Sequence, residues 1–187
     1  PRFAYRRADV PAASHPPLAA AMARLAELGA NERIWDPFCG SGLELVECAL
    51  SGHVSALFGC DLNSDAVRIA EANLRSALHD QRAPRMHFAA CDFREASNTP
   101  SFQNLRDLSL IVTNPPLGKR VPVADLRSLV GALFDSAQAL LREGGRLVFV
   151  NPVEKVGERR GLRLEARHKV DLGFAYFHLE KYVKRSR

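Results

Sequence analysis

The chain contains 187 residues, of which 47% are hydrophobic, and carries a formal net charge of +5 at pH 7. This composition predicts one globular domain with a core of its own, and the modest positive charge favours a polyanionic partner no more strongly than it favours an ordinary basic protein. The chain has no run of about 18 apolar residues and no apolar segment near its start, so we expect no contact with a membrane and no signal peptide.

Short apolar segments alternate with amphipathic ones along the chain. In chain order, the pattern predicts a helix over 18–28, a strand over 33–36, a helix over 42–50, a strand over 56–60, a helix that reaches 78, a strand over 86–91, a loop over 95–104, a strand over 108–113, a helix over 126–141 and a strand over 145–150. Ser14 is expected to cap the first helix, and Asn63 or Ser64 the third.

The last part of the chain predicts two more strands, one around Val170 and one over 175–183, joined at Gly173 as an antiparallel edge hairpin. Short apolar strands that alternate with helices are typical of parallel sheets covered on both faces. The predicted fold is therefore α/β: a doubly wound, mostly parallel sheet of seven strands with an antiparallel edge strand.

The four cysteines are Cys39, Cys48, Cys60 and Cys91, and no two of them form a Cys-x-x-Cys pair. Three of them lie in or at the end of predicted strands, where we expect buried, reduced thiols of a cytoplasmic protein. The wide spacing argues against a zinc site, and we expect no metal.

A glycine-rich turn, Asp36-Pro-Phe-Cys-Gly-Ser-Gly42, follows the first predicted strand. Gly40 and Gly42 would let backbone N–H groups and a helix N-terminus approach a polar ligand closely. A nicotinamide dinucleotide would require a third small residue, where this chain has Leu45. Asp36 would also repel a pyrophosphate, but it would attract the sulfonium and ammonium groups of S-adenosylmethionine (SAM). The sequence therefore favours SAM as the cofactor.

Two further carboxylates end strands beside this turn. Asp61 follows the glycines by about twenty residues, the spacing of an acid that binds ribose hydroxyls. Asp92 ends the third strand and, with Phe93, is a candidate for contact with the adenine ring. Both acids could instead cap the segments that follow them. Phe38 is expected to lie against the cofactor, whereas Trp35 points to the other side of its strand and is expected in the core.

The tetrad Asn114-Pro115-Pro116-Leu117 follows the apolar strand over 108–113. An amine conjugated to a ring is a poor nucleophile, and hydrogen bonds from its N–H groups to the Asn114 side-chain oxygen and the Pro115 carbonyl would localise and aim its lone pair. The alternative is a proline-rich strand exit with Asn114 as a turn residue. Together with the glycine-rich turn, the tetrad indicates a SAM-dependent methyltransferase that acts on an amino group.

These motifs resemble those of the class I SAM-dependent methyltransferases, and among them the THUMP-associated RNA guanine-N2 methylases (the UPF0020 group). The similar segments are the cofactor motif over 36–42, the preceding helix over 14–21, the catalytic loop over 113–121 and the junction over 141–148. The resemblance covers essentially the whole chain. It implies a Rossmann-like catalytic domain over 1–187 that methylates an exocyclic base amine in tRNA or rRNA, with guanine N2 preferred. The alternatives are adenine N6, a protein glutamine amide, or a SAM- or RNA-binding module without catalysis.

The resemblance also assigns roles to individual residues. The residues expected to bind SAM are Ser14, His15, Pro16, Asp36, Phe38, Cys39, Gly40, Gly42, Asp61, Leu62, Asp92 and Phe93. The residues expected at the reacting amine are Asn114, Pro115, Pro116 and Leu117. Lys119 and Arg120 are expected to contact a phosphate beside the target nucleotide.

The chain departs from the family pattern in two ways. Family members commonly have Tyr or Phe where this chain has Leu117, and such a ring can stack on an extruded base. Nothing in the sequence resembles the amino-terminal THUMP module that binds RNA. Because the chain begins with Pro1 rather than Met, we expect it to be a fragment of a longer protein.

Overall fold

The computed structural model describes residues 14–78, 83–118, 125–153 and 161–185. The helices are α1 (Pro16–Leu25), α2 (Leu43–Ser51), α3 (Ser64–Ala77) and α4 (Leu126–Leu140), with short 3-10 helices at Phe93–Asn98 and Pro100–Phe102; the strands are β1 (Glu32–Asp36), β2 (Val54–Asp61), β3 (Arg85–Ala90), β4 (Leu108–Thr113), β5 (Leu141–Asn151), β6 (Leu162–Asp171) and β7 (Tyr176–Lys184). Across the described part of the chain, no helix is long and apolar enough to cross a membrane.

The seven strands form one sheet in the order β3-β2-β1-β4-β5-β7-β6. Strands β1 to β5 pair in parallel, and β7 is antiparallel to both of its neighbours, β5 and β6. The predicted fold is therefore confirmed, and the antiparallel strand belongs to the β6–β7 hairpin at one edge. The strand order reverses at β1, whose neighbours are β2 and β4. The carboxyl ends of β1 and β4 meet there, at the place where doubly wound sheets bind ligands.

Alternate residues of the central strands supply two separate apolar layers. On one face Ile34, Leu110 and Val112 pack with residues of α1, α2 and α3. On the other face Trp35 and Ile111 pack with residues of α4 and the 3-10 helices. Trp35 is thus in the core, as predicted, and both faces of the sheet are covered.

Several predicted boundaries were wrong. Residues 95–104 were predicted as a loop but contain most of the 3-10 turns. Strand β5 begins at Leu141, which pairs with Leu108, so α4 passes directly into the strand. Strand β6 contains the strand predicted around Val170 but begins earlier, at Leu162, and its first part was missed because its residues are mostly polar and exposed. His15, rather than Ser14, occupies the N-cap position of α1, and no side chain caps that helix.

One buried ion pair joins the sheet to the chain that follows α1. Arg146 Nη2 on β5 lies 2.7 Å from both carboxylate oxygens of Glu32 on β1. The Nη1 group of Arg146 donates to the carbonyls of Ala26 and Glu27 at 2.9 and 2.7 Å. Because the guanidinium satisfies the buried carboxylate and two free carbonyls at once, it fixes the end of α1 against the amino-terminal end of β1.

Candidate active site

A cleft of about 1240 Å³ opens at the carboxyl ends of the central strands. Its walls come from the loops after β1 to β4, the start of α1, the first turn of α2 and the turn between β6 and β7. Typical small-molecule sites measure about 300–1,000 Å³. This cleft is therefore large enough for a cofactor together with part of a second ligand.

The cleft brings together most of the residues predicted from the sequence. Its walls include Ser14, His15, Phe38, Cys39, Gly40, Asp61, Leu62, Asp92, Phe93, Asn114, Pro115, Pro116 and Leu117. Pro16, Asp36 and Gly42 are buried behind these walls rather than in them. Lys119 and Arg120 lie outside the described residues.

Asp61 holds the glycine-rich loop after β1 by hydrogen bonds. Its Oδ2 accepts from Gly40 N at 3.0 Å and its Oδ1 accepts from Asn63 N at 2.9 Å. Asn63 in turn caps α3 through its side chain, as predicted. One carboxylate at the end of β2 therefore orders both loops that face the cleft, and its remaining lone pairs are available to a ligand.

Gly42 makes the closest backbone approach in the loop. It has φ +80°, and a Cβ built on it would lie 3.0 Å from Ala70 Cβ and 3.1 Å from Ala70 Cα.

We expect Gly42→Ala to lower the free energy of unfolding by about 2 kcal/mol, because the strain of the left-handed backbone and the crowding against α3 add. The measurement is urea unfolding. Gly144 is the control, since it has φ +70° with nothing within 4 Å, and Gly144→Ala should cost about 1 kcal/mol. Equal losses of unfolding free energy in the two variants would show that α3 moves away from the added methyl group at no cost.

Asp92 and two aromatic rings form the wall after β3. Asp92 Oδ1 caps the following 3-10 helix by accepting from Arg94 N at 2.9 Å, and the Arg94 side chain also donates to it. This side-chain hydrogen bond holds the pKa of the Asp92 carboxyl below its usual value. The Phe38 and Phe93 rings lie 4.8 Å apart. Asp92 thus caps the segment that follows it, which was one of the two roles predicted for it. It also lies in the cleft wall beside the Phe38 and Phe93 rings.

Two buried acids lie at the cleft: Glu44 is in its wall, and Asp36 is behind the wall. Asp36 Oδ1 accepts from Thr113 Oγ1 at 2.6 Å and from Phe38 N at 3.0 Å, while its Oδ2 has no partner. Burial, followed by the charge of Glu44, raises the pKa of Asp36 well above its usual value. Burial also raises the pKa of Glu44. No cationic side chain in the described part of the chain pairs with either acid, so the site favours a cationic ligand.

Asn114 carries an unsatisfied acceptor close to these two acids. Its Nδ2 donates to Ser14 Oγ at 2.9 Å, whereas its Oδ1 is buried and has no hydrogen-bond partner. A buried, unpaired polar atom costs about 1–3 kcal/mol unless a ligand satisfies it. The arrangement therefore suits a ligand that brings an N–H group to Asn114.

These features fit SAM. The acids Asp36 and Glu44 match its cationic groups, Asp61 matches its ribose hydroxyls, and the unpaired Ser41 Oγ adds a further polar atom at the loop. Among the described residues that line the cleft there is no cluster of basic side chains at the glycine turn for a pyrophosphate, and Arg94 in the cleft wall is paired with Asp92.

Sequence reasoning missed part of the site. The missed residues include Ser41, Glu44, Arg94, Leu129 and residues 170–174. For Glu44 the sequence did hold a clue, because an acid interrupts the apolar positions of α2. In the structure Glu44 is only 4% exposed. The turn between β6 and β7 carried none, since its place beside the tetrad depends on the whole sheet.

The strand order, the glycine-rich loop after β1 and the Asn-Pro-Pro tetrad after β4 define the class of protein: a methyltransferase domain with a Rossmann-like fold. The chain belongs to the family described as RMKL-like, methyltransferase domain, whose sequence profile matches residues 4–173. The family predicted from the motifs is thereby confirmed.

Named relatives support the same assignment. The tRNA (guanine(10)-N2)-dimethyltransferase of Methanothermobacter thermautotrophicus is 32% identical over 150 residues, which are 76% of this chain and 39% of that protein. The tRNA (guanine(6)-N2)-methyltransferase of Thermus thermophilus is 33% identical over 138 residues, 72% of this chain and 38% of that protein. The crystal structure of TrmN from Thermus thermophilus matches with a TM-score of 0.69 and 26% identity, covering 98% of this chain and 52% of that one. The chain thus spans about two fifths of the length of these two curated relatives.

Proposed function

We propose that this domain transfers a methyl group from SAM to the exocyclic N2 amine of guanine in RNA. The observation that carries the proposal is the buried Asn114 Oδ1, which has no partner among the residues that the structure describes and belongs to a residue in the wall of the same cleft as the acid Glu44. The names of both relatives, which act on guanine N2 in tRNA, support this choice of atom.

The residues that would hold SAM are on the loops after β1 and β2. Asp61 would accept from its ribose hydroxyls, Phe38 and Phe93 would flank its adenine ring, and Glu44 with Asp36 would balance its positive charge. When bound, SAM supplies a methyl group activated by a sulfonium. The remaining predicted contacts, from His15 and Leu62 in the cleft wall and from the buried Pro16, stay predictions.

The protein contributes position and electrostatics to the reaction. Asn114 Oδ1 and the Pro115 carbonyl would accept hydrogen bonds from the two N–H groups of the amine. The lone pair would then be localised on the nitrogen, no longer conjugated with the ring, and would point at the methyl group. Pro116 and Leu117 shape the wall around it. No strong base is required, because the amine can lose its proton to water after the methyl group has arrived.

Two observations favour RNA as the substrate: the net positive charge of the chain, and the names of the relatives, which are tRNA methyltransferases. Lys119 and Arg120 remain candidates for phosphate contact next to the tetrad. The four cysteines are free thiols, three of them buried, which agrees with a cytoplasmic setting for such an enzyme.

Leu117 offers a way to test where the base lies. Leu117→Tyr should raise kcat/KM for RNA about fivefold, or ~1 kcal/mol, because an aromatic face would stack on the extruded base. Steady-state kinetics on one RNA measures this. Leu164→Tyr is the control, since Leu164 is exposed on β6. If neither variant gains activity, the base does not pass over Leu117.

Calorimetric titration of SAM into the domain tests the cofactor, with NAD as the control ligand. We expect SAM to bind and NAD to give no heat above dilution. A folded sample that does not bind SAM would refute the proposed function.

A further inference from the structure

The amide of Asn114 has two faces of opposite chemistry. Its oxygen accepts a hydrogen bond from an amine. Its NH₂ group is itself a donor and would face the N–H groups of the amine without forming a hydrogen bond. Methyl transfer to an amine therefore requires Oδ1, and not Nδ2, to face the cleft. Something in the protein must choose between the two orientations, because a flip of the amide exchanges atoms of similar size.

Ser14 and Glu44 make that choice in the structure. Asn114 Nδ2 donates to Ser14 Oγ at 2.9 Å, and the Ser14 hydroxyl donates to Glu44 Oε1. A hydroxyl has a single proton. Once that proton is held by the carboxylate, Ser14 can only accept, so it binds the nitrogen of the amide and leaves the oxygen free.

The three residues come from separate parts of the fold. Ser14 precedes α1, Glu44 is in the first turn of α2, and Asn114 follows β4. Glu44 is 4% exposed and has no cationic partner in the described part of the chain. Leu43 and Leu45, which flank it in α2, are apolar and buried. In the structure Glu44 Oε1 accepts the Ser14 hydroxyl proton, and this acceptance sets the direction of both hydrogen bonds.

We propose that Ser14 and Glu44 are positioning residues that hold the Asn114 amide with Oδ1 toward the target amine. The proposal rests on the proposed function, and it gives Ser14 and Glu44 the further task of orienting the Asn114 amide.

The test compares Ser14→Ala, Ser14→Thr and Glu44→Leu with the unmodified chain. With SAM saturating, Ser14→Ala and Glu44→Leu should lower kcat for RNA methylation about 10–100-fold with little change in KM for RNA, because the amide is then free to turn. Ser14→Thr keeps the hydroxyl and should restore most of the activity. Ser128→Ala, which removes an exposed hydroxyl on α4, is the matched control and should change nothing.

A second measurement needs neither SAM nor RNA. In ¹⁵N NMR spectra, the side-chain NH₂ signal of Asn114, assigned by its absence in Asn114→Ala, should exchange slowly with water in the unmodified chain and in Ser14→Thr. It should exchange rapidly in Ser14→Ala and Glu44→Leu. An unchanged signal in Ser14→Ala would overturn the proposal, and so would an altered signal with unchanged kcat. If the unmodified chain methylates no RNA, the proposed function fails, while the NMR signal still reports the hydrogen bonds separately.

Discussion

Replacing Asn114 with Ala should lower kcat for methyl transfer about 10²–10³-fold, equivalent to about 2.7–4 kcal/mol in the transition state. The variant removes Oδ1, the buried acceptor for which the described part of the chain offers no partner. The affinity for SAM should stay close to that of the unmodified chain, because the acids and the glycine-rich loop are untouched. Single-turnover kinetics with RNA, together with calorimetric titration of SAM, measures both quantities.

Two further variants sharpen the experiment on Asn114. Asn114→Asp keeps a side-chain acceptor and should retain more activity than Asn114→Ala. Asn104→Ala removes an exposed asparagine side chain far from the tetrad and should be neutral. Full activity in a correctly folded Asn114→Ala preparation would mean that the role given to Asn114 is wrong.

Asp36→Asn should make the ligand-free domain more stable, by about 1–2 kcal/mol at pH 8. Asp36 is fully buried, and burial is the main cause that raises its pKa well above the usual value. The stability that such a group contributes is fully present below the unfolded-state pKa of about 3.9 and is lost as the pH rises through the folded-state pKa. The neutral Asn side chain has no such loss, so the advantage of the variant should widen as the pH rises from about 4 to about 8.

The same substitution should weaken binding of SAM roughly 10–100-fold, or about 1.4–2.7 kcal/mol, because a negative charge near the cationic ligand is removed. Thermal unfolding at several pH values and calorimetric titration measure the two effects. Asp135→Asn is the matched control, since Asp135 is exposed on α4. A loss of stability in Asp36→Asn with undiminished SAM affinity would show that Asp36 is a structural acid only.

The sequence predicted the centre of the fold better than its edge. Strands β1 and β4 are buried on both faces, so each appears as a short apolar run, and the motifs that follow them are local. Strand β6 carries exposed polar residues such as Arg163 and Lys169 because it lies at the edge of the sheet. Its pairing with β7 decides its extent, and the alternation of its own residues does not show that extent.

The candidate site divides in a similar way. Asn114 and Asp61 could be found from motifs and spacing, because each follows a strand directly. The depth of Asp36 could not, since its burial depends on Thr113 of the neighbouring strand. The link from Asn114 to Glu44 through Ser14 depends on three elements meeting in space, and only the folded chain brings them together.

The most direct test of the central claim is to incubate the 187-residue chain with SAM that carries a deuterated methyl group and with unmodified tRNA or rRNA. The RNA is then digested and its nucleosides are analysed by mass spectrometry. We expect deuterated N2-methylguanosine, which should be absent with Asn114→Ala. Label found only in N6-methyladenosine, or in no nucleoside although SAM binds, would contradict the assignment of guanine N2 in RNA as the target.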